Sequence, residues 1–99
     1  MPLFLINARD KANSAELRLA NRQAHLEWAS GIADKIAMGG PVLSDDGAAM
    51  IGSTFVIEFD SRADAETWAA QDPYAKAGLF DRTEIIPFKW LFGTGPQNG

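Results

Sequence analysis

IGSTFVIEFDSRADAETWAAQDPYAKAGLF, residues 51–80, decides the fold. Its opening nine residues alternate. Phe55, Ile57 and Phe59 share one face, while Thr54, Val56 and Glu58 take the other, the period-2 pattern of a strand over Ile51–Phe59. Asp60-Ser61 then offers N-caps to a helix that carries Ala63, Ala65, Trp68, Ala69 and Ala70. Asp72-Pro73 interrupts that helix, because proline disfavours a helical residue before it yet fits the first turn of a new helix. A short helix over Pro73–Phe80, capped by Asp72, follows.

Reading outward, Thr83–Phe92 is a last strand, and Pro87 inside it places it at a sheet edge. Gly93 to Gly99 reads as a disordered tail, leaving 1–92 as a single domain. Upstream, Ser44-Asp45-Asp46-Gly47 is turn chemistry, and Pro41-Val42-Leu43 is a weak strand. Ser14–Ala37 is a long helical pattern with N-caps at Asn13-Ser14 and a stop at Gly39-Gly40-Pro41. Leu17, Ala24, Trp28, Ile32 and Ile36 fall on one arc of that helix, and Leu19, Leu26 and Ala33 form a weaker stripe nearly opposite. Leu3–Ala8 is a first strand, Leu3 and Leu5 facing one way and Phe4 and Ile6 the other. The order is β-α-β-β-α-β, the split βαβ of an α+β ferredoxin-like fold: a four-stranded antiparallel sheet with helices on one face. The first and last strands in sequence carry large apolar groups on both faces, so the uncovered face is expected to close against a second copy, giving a homodimer.

Composition agrees and excludes several classes. The chain has 99 residues, 46% hydrophobic and 22% charged, within the range of one globular domain. With no cysteine, it can form neither disulfides nor thiolate metal sites, and it has no cysteine nucleophile. Nine basic residues stand against 13 acidic ones without a basic run, so no nucleic-acid footprint is expected. The apolar run Leu3-Phe4-Leu5-Ile6 is too short for a membrane span or a signal-peptide core, and a cytoplasmic protein is expected.

Few residues can carry chemistry. His25 is the only histidine and lies about 80° round the first helix from Leu17, between Ile32 and Ile36, so it points along the apolar arc. It is either a hydrogen-bonded structural histidine or a general acid or base. One histidine without neighbouring ligands is a poor metal site. Arg18, Arg22 and His25 are spaced i, i+4, i+7 on one side of the helix. The two arginines either bind a substrate carboxylate or enolate oxygen, or extend to solvent and pair with acids. Asp72 is a helix cap, or its carboxylate reaches His25 and orients the imidazole. Tyr74, the only tyrosine, is a hydroxyl donor for the same cleft or a packing residue. Ser44 and Ser53 are conceivable nucleophiles or substrate donors, but without a nucleophile elbow they read as turn and strand-start residues. The glycine pairs lack phosphate-loop spacing.

Arg22-Gln23-Ala24-His25-Leu26 resembles the R-x-x-H-L segment of the YCII-related, or YciI-like, family. Gly39-Gly40-Pro41 resembles that family's entry to its second strand, Asp72-Pro73-Tyr74 its D-P-Y/F motif, and Ile86-Pro87-Phe88 its closing strand. Asp10 falls where many members carry an acid after the first strand. The resemblance spans residues 3–92. It implies a dimeric α+β barrel and an active site pairing His25 with Asp72. Fold relatives include monooxygenases, isomerases and dehydrochlorinase-type lyases that need no bound metal or organic cofactor. The expectation is therefore a cofactor-independent small-molecule enzyme of lyase or isomerase type. In it His25 moves a proton, Asp72 orients the ring, and Arg18 or Arg22 neutralises an oxyanion. The competing expectations are a dimer that binds a metabolite without turning it over, and an interaction module using the aromatic sheet face.

Overall fold

The computed structural model describes residues 2–94. It contains β1 (Leu3–Asp10), α1 (Ala15–Ser30), a 3-10 turn (Ala33–Lys35), β2 (Ile36–Leu43), β3 (Met50–Glu58), α2 (Arg62–Ala70), α3 (Pro73–Lys76) and β4 (Phe80–Phe88). The four strands form one antiparallel sheet in the order β2-β3-β1-β4. This is the ferredoxin-like arrangement expected from the element order. Pro87 indeed sits on an edge strand, opposite Phe4 of β1.

The helix-side face of the sheet is the core. Phe4, Ile6, Phe55, Ile57 and Phe59 bury there with Ala65 of α2, and Trp28, Ala29, Ile32, Ile36, Trp68 and Ile85 pack around them. Trp28 and Trp68 stack across α1 and α2 with centroids 3.9 Å apart, and Phe55 meets Trp68 edge-on at 5.3 Å. Aromatic contacts of this kind lock the two helices to each other and to β3. On the other face, Leu5 lies between Val56 and Ile86, and Leu3 lies beside Phe88. Ile86, Phe88 and Met38 there remain 44%, 39% and 44% exposed, while Val56 between Met38 and Leu5 is 2% exposed. No helix among the described residues is long and apolar enough to cross a membrane.

Several boundaries differ from the sequence reading; β1 runs on to Asp10 and β3 is shifted back by one residue. The first helix stops at Ser30 and not at Ala37. Its last turn tightens, Gly31 N–H donating to Trp28 O and Ile32 N–H to Ala29 O. Ile32 and Ile36 still reach the core, but from the 3-10 turn and the first residue of β2. Their helical spacing was a coincidence of two elements feeding one core. Gly39-Gly40 lies inside β2, and neither residue is among those with positive φ, so it is no left-handed cap. Gly39 is required for a different reason: a Cβ there would stand 2.7 Å from Phe55 Cδ1. The third helix ends at Lys76, where Gly78 (φ +79°) turns the chain and Leu79 N–H returns to Tyr74 O, as in a Schellman closure. The last strand runs Phe80–Phe88, so Trp90, Leu91 and Phe92 lie beyond it. Of the tail read as disordered, residues 95–99 lie outside the described residues.

The caps divide likewise. Ser61 Oγ accepts from Asp64 N–H at 3.2 Å, as expected. Ser14 stands at the cap of α1, yet its hydroxyl donates to Ala12 O and caps nothing.

Candidate active site

The inward face of α1 carries Trp28 and Ala29 against the core but is polar where it is most deeply buried. Its two buried residues are Arg18 and His25, whereas Leu17 is 37% exposed and Ala24 is exposed. The centre of the buried arc therefore lies about 80–100° from Leu17, where Arg18 and His25 project. A helix that turns a charged and a titratable residue toward a core must satisfy both, because an unpaired buried charge costs several kcal/mol, roughly 3–5 when one partner is missing.

Each is satisfied by its own carboxylate. His25 Nδ1 lies 2.8 Å from Asp72 Oδ1, with the two side chains only 10% and 6% exposed. The same Oδ1 accepts the Tyr74 N–H at 2.9 Å, so Asp72 caps α3 and holds the imidazole at once. Both readings of Asp72 are met by one oxygen. Since a carboxylate only accepts, the proton of a neutral imidazole resides on Nδ1, and Nε2 is left as an acceptor. Nε2 has no partner among the described residues. Tyr74, 1% exposed, stacks on the imidazole at 4.1 Å and 15°, fixing the ring plane from one side.

Arg18 is held by Asp10 at the end of β1: Nε donates to Oδ2 at 2.7 Å and Nη2 to Oδ1 at 3.1 Å. This is a two-point pairing that fixes the guanidinium plane. Nη2 also donates to Ser53 Oγ at 3.0 Å, and Cζ sits 4.6 Å from the Tyr74 ring centroid. Burial opposes the Arg18 charge, but the Asp10 hydrogen bond and charge outweigh it, and the guanidinium holds its proton more tightly than usual. Burial pushes the Tyr74 hydroxyl upward; the Arg18 charge draws it back, and the Asp72 charge adds to the rise.

Arg18, His25, Ser53 and Tyr74, but not their carboxylate partners, line a cavity of about 320 Å³ between α1 and β2–β3. Its polar end carries Arg18, His25, Ser53 and Tyr74; Phe55, Ile36, Leu26 and Met50 make the rest apolar. Arg22 is exposed on its rim and forms no ion pair among the described residues. A volume near 300 Å³ suits one small ring-sized molecule. Among the described residues, no three His, Cys, Asp or Glu side chains converge as a metal site would need.

Three of the residues singled out from the sequence, His25, Arg18 and Tyr74, thus line one hollow, Asp72 holds His25 without lining it, and Arg22 stands at its edge. Ser53 was set aside in the sequence reading, yet it contacts Arg18. The signal was present: Ser53, Phe55 and Ile57 share the core-facing row of β3, and a lone hydroxyl in such a row calls for a partner. Asp10 was placed by motif only, and its pairing with Arg18 needed the fold.

Comparison with known proteins agrees with this architecture. The model of the YCII-related domain matches residues 2–89. Protein YciI of Escherichia coli O6:H1 is 40% identical over 97 residues, covering 91% of this chain and 99% of that protein. An uncharacterized protein of Haemophilus influenzae is 34% identical over 96 residues, covering 90% and 98%. Among solved structures, 5-chloro-2-hydroxyhydroquinone dehydrochlorinase (TftG) of Burkholderia phenoliruptrix, in complex with 2,5-dihydroxybenzoquinone, superposes with a TM-score of 0.80. It is 35% identical, over 92% of this chain and 95% of that one. An antibiotic biosynthesis monooxygenase aligns at a TM-score of 0.54 with 9% identity, covering 92% and 99%, a likeness of fold alone. With a family model spanning nearly its whole length and relatives at 40% identity, the chain belongs to the YCII-related domain family.

Proposed function

We propose that this protein is a small-molecule enzyme acting by proton transfer without a cofactor, an elimination or isomerisation on a compact oxygenated ring. The observation carrying this reading is the 2.8 Å contact between His25 Nδ1 and Asp72 Oδ1 beside a largely apolar hollow of about 320 Å³. A dehydrochlorinase with 35% identity and a TM-score of 0.80 supports the reaction class.

In this mechanism His25 Nε2 takes a proton from a substrate O–H or C–H. The electron pair from an O–H forms C=O while a ring carbon takes up a proton, and the pair from a C–H forms C=C toward the neighbouring tetrahedral carbon that bears any leaving group. In an elimination, a leaving group such as chloride departs with its own bonding pair. In an isomerisation, Nε2 returns the proton at another carbon. Both balance without oxidant or reductant. The Asp72 carboxylate stabilises the imidazolium that forms, and its hydrogen bond fixes the tautomer that leaves Nε2 free. Arg18 offers its fixed positive charge to oxygen as it gains electron density, and Arg22 draws anionic substrates to the rim. Tyr74 holds the imidazole plane by stacking and completes the polar wall.

The same reading makes the protein a homodimer in the cytoplasm, closed through the open sheet face. The exposure of Met38, Ile86 and Phe88 on that face supports the dimer.

The test is turnover of chlorinated hydroxyhydroquinones by wild type, His25→Ala and Asp72→Asn, with product analysis. Removing the base should lower kcat by roughly 100- to 10,000-fold. A wild-type activity surviving both substitutions overturns the assignment, and binding of such rings without product supports the non-catalytic alternative.

A further inference from the structure

Deepening the proposed function, and resting on it, we propose that the Ser53 hydroxyl and the Arg18 guanidinium form a subsite for one carbonyl, enolate or phenolate oxygen of the substrate, Ser53 donating its proton to that oxygen.

Ser53 is 4% exposed and lies on β3, opposite Ala8 of β1 and Pro41 of β2. Its Oγ accepts from Arg18 Nη2 at 3.0 Å. A serine hydroxyl is also a donor, and no described residue accepts the Ser53 proton, although other serines of this chain do donate, Ser30 to Glu27 O and Ser44 to Asp46. A buried donor without an acceptor is costly, and native structures reserve such groups for a ligand, an ion or water. Ser53 also lines the 320 Å³ cavity, so that unspent proton belongs to the same wall as His25.

Arg18 completes the subsite. Asp10 and Ser53 engage Nε and Nη2, and neither engages Nη1; the Tyr74 hydroxyl also interacts with the guanidinium. The guanidinium is therefore fixed in place before substrate arrives and still has a donor that neither Asp10 nor Ser53 takes. Two donors presented together demand an oxygen that only accepts. They favour a carbonyl or a deprotonated hydroxyl and disfavour an amine or amide N–H, which would leave both donors unpaired. As His25 removes a proton, negative charge gathers on that oxygen, and two donors held on the same cavity wall would stabilise it.

The experiment is titration of the full chain with 2,5-dihydroxybenzoquinone, read by calorimetry and by the visible band of the bound quinonoid, which responds to hydrogen bonding at its oxygens. Wild type should bind and shift the band. S53A should bind about tenfold or more weakly and lose most of the shift, as expected for loss of a hydrogen bond to a charged acceptor. S53T, which keeps the hydroxyl, should restore both, and S53C replaces S53A if the latter does not fold. H25A should lose turnover yet keep the shift. Equal binding and equal shift in wild type and S53A overturn the subsite while leaving the His25 mechanism standing. Weaker binding with an unchanged shift also overturns it, since that pattern reports only a structural role. No binding by wild type overturns both readings.

Discussion

Asp72→Asn separates the two duties that one oxygen performs. The variant keeps the helix cap, because asparagine caps as well as aspartate, so Tyr74 N–H retains an acceptor and the fold should lose less than about 1 kcal/mol. What disappears is the negative charge beside an imidazole that becomes positive during proton transfer. Taking the charge centres as ~4 Å apart, with an effective dielectric near ~20, that pair is worth about 4 kcal/mol. Nδ1 and Oδ1 are 2.8 Å apart and both side chains are at most 10% exposed, which justifies the partly buried dielectric. Solvent reaching through the open cavity mouth lowers the figure, so kcat should fall by about 100- to 1,000-fold, with ~1.4 kcal/mol per tenfold. An asparagine N–H₂ turned toward Nδ1 would force the other tautomer and remove the base altogether, so the direction of the effect is the same. The assay is single-turnover kinetics on the best ring substrate, with thermal unfolding alongside. If D72N stays within about fivefold of wild type while H25A is inactive, Asp72 is a cap and the electrostatic argument fails.

Three further outcomes follow from the same geometry. Arg18→Met strands the Asp10 carboxylate, whose side chain is 6% exposed, and should destabilise the fold by about 3–5 kcal/mol in chemical denaturation; a loss under about 1 kcal/mol would show that the pair is solvated. Burial holds the Tyr74 hydroxyl above the usual phenol range, so the folded state keeps that proton longer than the unfolded one. Its contribution to stability is complete below about pH 10 and declines as pH rises beyond it. Because Tyr74 is the only tyrosine, its phenolate absorbance should rise at higher pH in folded than in urea-unfolded protein, and coincident curves would refute the shift. Ile86→Glu places a charge in the open-face patch opposite Leu5, and sedimentation should show a dimeric wild type and a monomeric variant; a monomeric wild type would remove the need for a partner.

Much of the architecture was legible because local rules agreed with one another. The alternation through Phe55, Ile57 and Phe59, the Ser61 cap and the Asp72-Pro73 break each specified an element that the structure contains. The misreadings share a cause. Ile32 and Ile36 kept helical spacing while leaving the helix, because a core accepts an apolar group from any element that delivers it. Gly39-Gly40 resembled a helix stop because sequence cannot reveal that the Phe55 ring occupies the space a Cβ would need.

The amino-acid sequence alone determined the β-α-β-β-α-β order and the presence of one histidine, one tyrosine and an aspartate at a helix cap, all consequences of periodicity and local backbone preference. Tertiary structure alone decided that Asp72 turns to His25 across 47 positions of chain, that Asp10 rather than solvent takes Arg18, and that Ser53 shares the hollow lined by His25 and Arg18. Those pairings arise when the α1–β3 and α3–α1 surfaces close, because burial then obliges each charge to find its complement. No local pattern encodes which complement is within reach.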